Sequence, residues 1–344
     1  MSSFQVFKGG NPGDVRVAQT TKAKLDGDQV LVRITASGLC GTDLHYVSAD
    51  MVLGHEGAGI VKELGPSVTR LKLGDRVGWG YQTGACSHCD ECLGGNDQYC
   101  AERKLYGEAN QDQGSFAEAA VWSERFLFRI PDDMSNVDAA PLMCGGATVW
   151  HALHKYDLSA SSTVGVVGVG GLGHLAIQFA SKMGMKVLVF STDGSKKEEA
   201  LSMGATDFVE VTTKNIENMG KRLNALLVTS SSSIQWDRYL PVLKPRAIII
   251  PLTVHFGDFN IPQYPLIASG LRVQGSVIAS RLETRKMLSF AAHHKIRPVV
   301  MRFPMTKEGI NTAIEVLNSK KMRYRGVLVA PHTDACLGCS ECLL

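Results

Sequence analysis

Residues 163–184 read TVGVVGVGGLGHLAIQFASKMG, a strand-like apolar run, a glycine turn and an amphipathic helix-like run in immediate succession. A strand that turns this sharply into a helix commits the chain to a parallel α/β sheet, because the helix must cross back over the sheet before the next strand can pair. Gly168, Gly170 and Gly173 keep the spacing G-x-G-x-x-G, with Gly171 and Leu172 completing the turn. Glycines there permit a tight turn and close backbone approach, so a pyrophosphate can rest on the N–H groups of the helix N-terminus. The alternation continues with KVLVF at 186–190, LNALLVTS at 223–230 and AIIIPLTV at 247–254. Residues 144–282 are therefore expected to form a doubly wound parallel sheet that binds a dinucleotide.

The residues after the second strand decide which dinucleotide. A carboxylate there accepts both ribose hydroxyls and repels a 2′-phosphate. The strand is followed by Ser191, Thr192, Asp193, Gly194, Ser195, Lys196 and Lys197. Asp193 stands at the distance expected of an NAD-type acid, but hydroxyls at Ser191 and Thr192 with Lys196 and Lys197 beside them suit a phosphate dianion better. The expected cofactor is NADP(H).

At roughly 100 to 200 residues per domain, a chain of 344 residues suits two domains. Residues 1–143 carry short β-like runs, QVLVRITASG, GAGIVKELG and LKLGDRVGWG, with frequent glycine punctuation. The helix-like runs at 282–294 and 306–319 fit either domain by pattern alone. The net charge of +3 excludes a chain built to wrap nucleic acid or coat an acidic membrane, and leaves small molecules as the expected partners. The start, MSSFQVFKGG, lacks the regions of a signal peptide, so a cytoplasmic protein is expected. Nine cysteines in a reducing compartment are then tested against metal ligation before disulfides.

Cys86, Cys89, Cys92 and Cys100 give C-x2-C-x2-C-x7-C within GACSHCDECLGGNDQYC, a polar loop with no periodicity of its own. Four thiolates on such a loop close a tetrahedron around Zn2+ and leave no position for a substrate, so their role is structural. Cys40, His55 and Cys144 lie far apart, in GLCGTDLH, LGHEGAG and PLMCGGAT. Together they offer two sulfurs and one nitrogen, a shell that keeps its fourth position open for catalysis. Asp43 is placed to accept the second ring proton of a ligating histidine, and Glu56 to stand behind the metal or join it transiently.

These motifs together resemble the medium-chain, zinc-dependent alcohol dehydrogenase family from about Gln29 to Ala330. GLCGTDLH, GHEGAG, the cysteine loop, GVGGLGH, STDGSKKEEAL and QGSVIASRLETRKML look like its NADP-dependent cinnamyl alcohol dehydrogenase branch. The resemblance implies a GroES-like β catalytic domain (1–143) with two zinc ions per chain and a Rossmann domain (144–282). It also implies a return of 283–330 to the first domain, an active site in the cleft between the two, and a homo-oligomer, a dimer first. It further implies that Thr42 passes the alcohol proton, that His45 extends the relay, and that Thr148, Thr229, Ser276, Val277 and Ile278 line the cofactor. Thr253 stands where the family usually has glycine. Only nine residues separate His45 from His55, so a segment that normally walls the substrate pocket is trimmed.

The expected activity is hydride transfer between NADP(H) and a primary alcohol or aldehyde. Two rival readings fit the same residues: reduction of C=C or C=N bonds on the same scaffold, and a non-catalytic NADP-binding or metal-sensing protein. Residues 331–344 form a tail in which Cys336, Cys339 and Cys342 repeat the loop's spacing, read as a mobile extension.

Overall fold

The computed structural model describes residues 2–10, 14–211, 216, 219–231 and 233–331. The tail cysteines lie outside the described residues. The chain divides into two compact units: residues 1–144, 280–292 and 298–344, and residues 145–279 with 293–297. Residues 280–292 thus cluster with the first unit, and the segment 293–297 with the second.

In the first unit a seven-stranded sheet is centred on the long strand Gln29–Leu39, flanked by Glu56–Leu64 and Arg325–Val329. Val30, Val32 and Ile34 on the central strand join Trp79, Phe116 and Leu328 in one core, and Ile310 and Ala313 of the helix Lys307–Asn318 seal it. That helix starts on Thr306, whose hydroxyl accepts the Gly309 N–H at 3.1 Å. Both helices that the pattern left unassigned, Arg281–His293 and Lys307–Asn318, lie almost wholly in this unit. An antiparallel hairpin, Ser2–Lys8 with Arg16–Lys22, precedes the sheet; its short, half-polar strands gave no clear alternation in the sequence.

The second unit is a Rossmann layer: six strands, all parallel, in the order Asp207–Glu210, Lys186–Ser191, Thr163–Val167, Leu223–Val228, Leu243–Pro251, Arg272–Val273. The strand Thr163–Val167 is almost continuously buried, as a strand covered on both faces must be. The fold is therefore the expected pair, a GroES-like β domain and a doubly wound parallel sheet. The run around Cys144 departs from a single helix: Asn136–Pro141 is α, Leu142–Gly146 is a π turn, and Ala147–His154 is α again. Among the described residues no helix is long and apolar enough to cross a membrane.

Candidate functional site

The loop of four cysteines has more structure than its sequence suggested. It is framed by the pair Gln82–Gly84 and Lys104–Leu105 and contains a single helical turn, Asp90–Leu93, and a 3-10 turn, Asp97–Tyr99. Asp97 anchors the latter to the rest of the unit, its carboxylate accepting the Arg281 backbone N–H at 3.2 Å and Nε–H at 3.1 Å. The four sulfurs lie within 4.8 Å of one another. Cys86 Sγ stands 3.9 Å from Cys92 Sγ and 3.6 Å from Cys100 Sγ. Sulfurs at about 2.3 Å from one zinc ion in a tetrahedron would be about 3.8 Å apart, so the set fits that ion. Backbone N–H groups of His88 and Cys89 pull the Cys86 thiol down to about 6, whereas burial pushes Cys92 up to about 12.

The second cluster is assembled from three separate elements. Cys40 caps the short helix Gly41–Leu44, His55 precedes the strand Glu56–Leu64, and Cys144 sits in the π turn. Their ligand atoms and a Glu56 oxygen all lie within 4.8 Å of one another. The His55 ring is buried; its Nδ1 lies 2.9 Å from Asp43 Oδ1, while its Nε2 is buried without a hydrogen-bond partner. An orphaned ring nitrogen between two sulfurs is a costly arrangement unless a cation receives its lone pair. The other oxygen of Asp43 accepts the Cys40 backbone N–H at 2.9 Å, so one carboxylate fixes two of the three ligands.

The electrostatics agree. Burial opposes charge on His55, but the Asp43 carboxylate and the Cys40 thiolate outweigh it and hold the ring well above its usual pKa. A hydrogen bond from Cys144 keeps Cys40 well below the ordinary thiol range and pushes Cys144 well above it. A divalent cation binding here would displace the protons that His55 and Cys144 favour.

Glu56 is fully buried and paired with Arg325, whose Nη2 contacts both carboxylate oxygens, one of them at 2.5 Å. Burial pushes the Glu56 carboxyl up to about 7 against the pull of that guanidinium. The pair straddles the central strand at Gly38, which pairs with Glu56 and where an added Cβ would meet Glu56 Oε2 at 1.9 Å. Sequence reading missed Arg325, which is 269 residues from its partner and carries no local signal. It also missed Tyr81 and Tyr106, whose rings pack at 5.6 and 4.8 Å from His55. Thr42 Oγ1 lies 3.7 Å from Cys40 Sγ, and His45 is exposed at the end of the same helix.

In the second unit each glycine of the turn has its own reason. Gly168 has φ +92°; a Cβ at Gly173 would meet the Gly168 carbonyl at 1.9 Å; a Cβ at Gly170 would meet nothing, leaving that backbone open to a ligand. The Thr229 hydroxyl donates to the carbonyls of Val167 (2.8 Å) and Gly168 (3.0 Å), holding the turn. Lys196 Nζ donates to Val169 O at 3.0 Å, beside the turn. Asp193 is exposed and caps the next turn, its Oδ1 accepting Ser195 N–H at 3.0 Å and Ser195 O–H at 2.6 Å. Ser191 Oγ accepts the Asp193 N–H at 3.1 Å, and Thr192 is exposed. Thr148 is buried, and the hydroxyls of Ser276 and Thr253 are buried without partners in this unit. Ile278, two residues beyond Ser276 and next to Val277, has φ +40°, a strained conformation for a β-branched residue.

Comparison with known proteins converges on one family. Residues 26–132 match the alcohol dehydrogenase GroES-like domain, and residues 171–293 match the zinc-binding dehydrogenase domain. The NADP-dependent alcohol dehydrogenase C 1 of Mycolicibacterium smegmatis is 33% identical over 323 residues, covering 90% of this chain and 92% of the relative. A cinnamyl alcohol dehydrogenase structure from Sorghum bicolor superposes with a TM-score of 0.88 at 31% identity, covering 95% and 98% of the two chains. A Helicobacter pylori CAD structure complexed with NADP(H) gives 0.86 at 26% identity, covering 95% and 97%.

Proposed function

The chain belongs to the zinc-binding medium-chain alcohol dehydrogenase family, and from that premise we propose that it is an NADP-dependent enzyme interconverting a primary alcohol and its aldehyde. One observation carries the reading: the buried, unpartnered Nε2 of His55, its opposite ring nitrogen held by Asp43, between the thiols of Cys40 and Cys144. When bound, zinc supplies Lewis acidity at the substrate oxygen and NADP(H) supplies or takes the hydride.

The protein's share is position and protons. Cys40, His55 and Cys144 hold the catalytic ion, while Cys86, Cys89, Cys92 and Cys100 hold a second, structural one, giving two zinc ions per chain. The Thr42 hydroxyl both accepts the alcohol proton and donates it onward to His45. Glu56, compensated by Arg325, keeps negative charge behind the ligand set. Backbone N–H groups of Gly170, Gly171 and Leu172 receive the pyrophosphate, and Ser191, Thr192 and Lys196 read the 2′-phosphate. The cap that Asp193 makes supports that choice, since its Oδ1 is already engaged by the Ser195 N–H and O–H. Thr148, Thr229, Ser276, Val277 and Ile278 line the rest of the cofactor.

The functional form is a homodimer in the cytoplasm. Two observations support a second copy: the strand Arg272–Val273 is at the edge of the sheet, where it can pair with its equivalent, and Phe256, Tyr264 and Ile267 are 83%, 79% and 70% exposed. Oxidation of NADPH and of NADH across aliphatic, aromatic and α,β-unsaturated aldehydes, with mass spectrometry of the products, tests the reading. Preferential NADPH consumption yielding alcohols supports it. Saturated aldehydes as products would establish C=C reduction instead, and tight NADPH binding without turnover would establish a non-catalytic role.

A further inference from the structure

The closed sulfur cluster has an outer face that its structural role does not use. Cys86 is only half-buried, and one ligand atom each from Cys86, His88 and Glu102 lie within 4.8 Å of one another, with His88 and Glu102 both exposed. Both flank the cluster in sequence and are tied to it. His88 Nδ1 is 3.0 Å from the Cys86 carbonyl, and the Glu102 N–H donates to Cys100 Sγ at 3.4 Å. A ring N–H given to a backbone carbonyl leaves Nε2 as the lone-pair nitrogen, the tautomer in which metal-bound histidines are found. Ser87, between the two, has φ +71° and its hydroxyl is held by Arg125 Nη1 at 3.3 Å, which fixes the backbone that sets Cys86 and His88 side by side.

Sulfur, imidazole nitrogen and carboxylate oxygen together make a set suited to a borderline-soft divalent cation with room for solvent as a further ligand. A thiolate has lone pairs to spare after binding one zinc ion. We propose that Cys86, His88 and Glu102 form an exposed zinc-acceptor site that shares the Cys86 thiolate with the closed cluster, and through which metal enters that cluster. The step is ligand exchange alone: an arriving ion trades His88 and Glu102 for Cys89, Cys92 and Cys100, whose thiols become thiolates as they bind and lose their protons to solvent. No electron moves. The proposal rests on the closed-cluster reading above, and the experiment separates the two.

The zinc-loaded chain, dialysed free of excess metal, is titrated with Zn2+ against a chromophoric competitor. The wild type takes up one further ion; His88→Ala loses it and Glu102→Gln holds it more weakly. In the cadmium-loaded chain, filling the outer site shifts the 113Cd resonance of the closed cluster in the wild type and not in His88→Ala. After stripping with chelator, His88→Ala regains closed-cluster metal more slowly. Equal uptake by wild type and His88→Ala, an unmoved resonance on uptake, or equal reloading rates each overturn the proposal. Absence of any closed-cluster resonance overturns the closed-cluster reading itself, and the shared thiolate with it; failure of the outer site alone leaves that resonance present and unchanged.

Discussion

The two sulfur-rich clusters of the first unit use similar donors and are delivered in opposite ways. Cys86, Cys89, Cys92 and Cys100 come from one short loop, mostly at the surface, and are surrounded chiefly by backbone N–H groups. Cys40, His55 and Cys144 come from three elements, and behind them stand Asp43, Glu56 and Arg325, all buried. On the proposed reading, the loop that brings its own ligands needs metal to hold its shape, whereas the site that the sheet assembles needs metal for chemistry, with a buried ion pair and an oriented histidine behind it.

The largest expected effect breaks the first half of that contrast. Cys100→Ser removes a ligand from the closed tetrahedron, and with metal ligation contributing on the order of 10 kcal/mol where it organises a fold, the loop from 84 to 105 should lose its structure. Metal content should fall and limited proteolysis should cut within the loop; an intact, protease-resistant loop would contradict the assignment. His55→Ala sharpens the other half. Lewis-acid assistance is worth several kcal/mol of barrier, about a thousandfold in rate, so aldehyde reduction should all but vanish while the melting temperature changes far less than in Cys100→Ser.

Arg325→Ala leaves a carboxylate buried and unpaired, for a loss of about 3–5 kcal/mol in unfolding free energy. The double change Glu56→Gln with Arg325→Met should recover most of it in denaturant titration, and a double variant as unstable as the single would show that the pair is not what Arg325 serves. Asp43→Asn should weaken metal retention or turnover about 10- to 100-fold with little change in stability. Gly38→Ala, forcing Glu56 aside, should cost about 1–3 kcal/mol by overpacking; a neutral result would show that the strand shifts to accept the methyl group.

The contrast also explains what the sequence could show. The glycine turn and the cysteine loop are local, so their spacing carries the geometry: Gly168 has a positive φ and Gly173 no room for a Cβ, as a tight turn requires. The open cluster was legible only as a set, through three glycine-flanked residues, and its surroundings were not. Arg325 reaches Glu56 because two strands flank a third at a residue without a side chain, and strand order is not written in any window of sequence. Likewise Asp193 has the spacing of a ribose-binding acid, yet the hydrogen bonds from Ser195 decide where it points. The hairpin before Gln29 escaped notice because its strands lack alternation, and the trimmed stretch before His55 announced a change in length but not the tyrosines that pack beside the ring.

The π turn at Leu142–Gly146 has a consequence for engineering. It lets one extra residue into the helical path, so every position from Ala147 onward is set round the axis by about 100° relative to an uninterrupted α-helix. Deleting a single codon there would restore regular winding and swing Cys144 out of register with its partner sulfur, a lesion that no point substitution in the same stretch could reproduce.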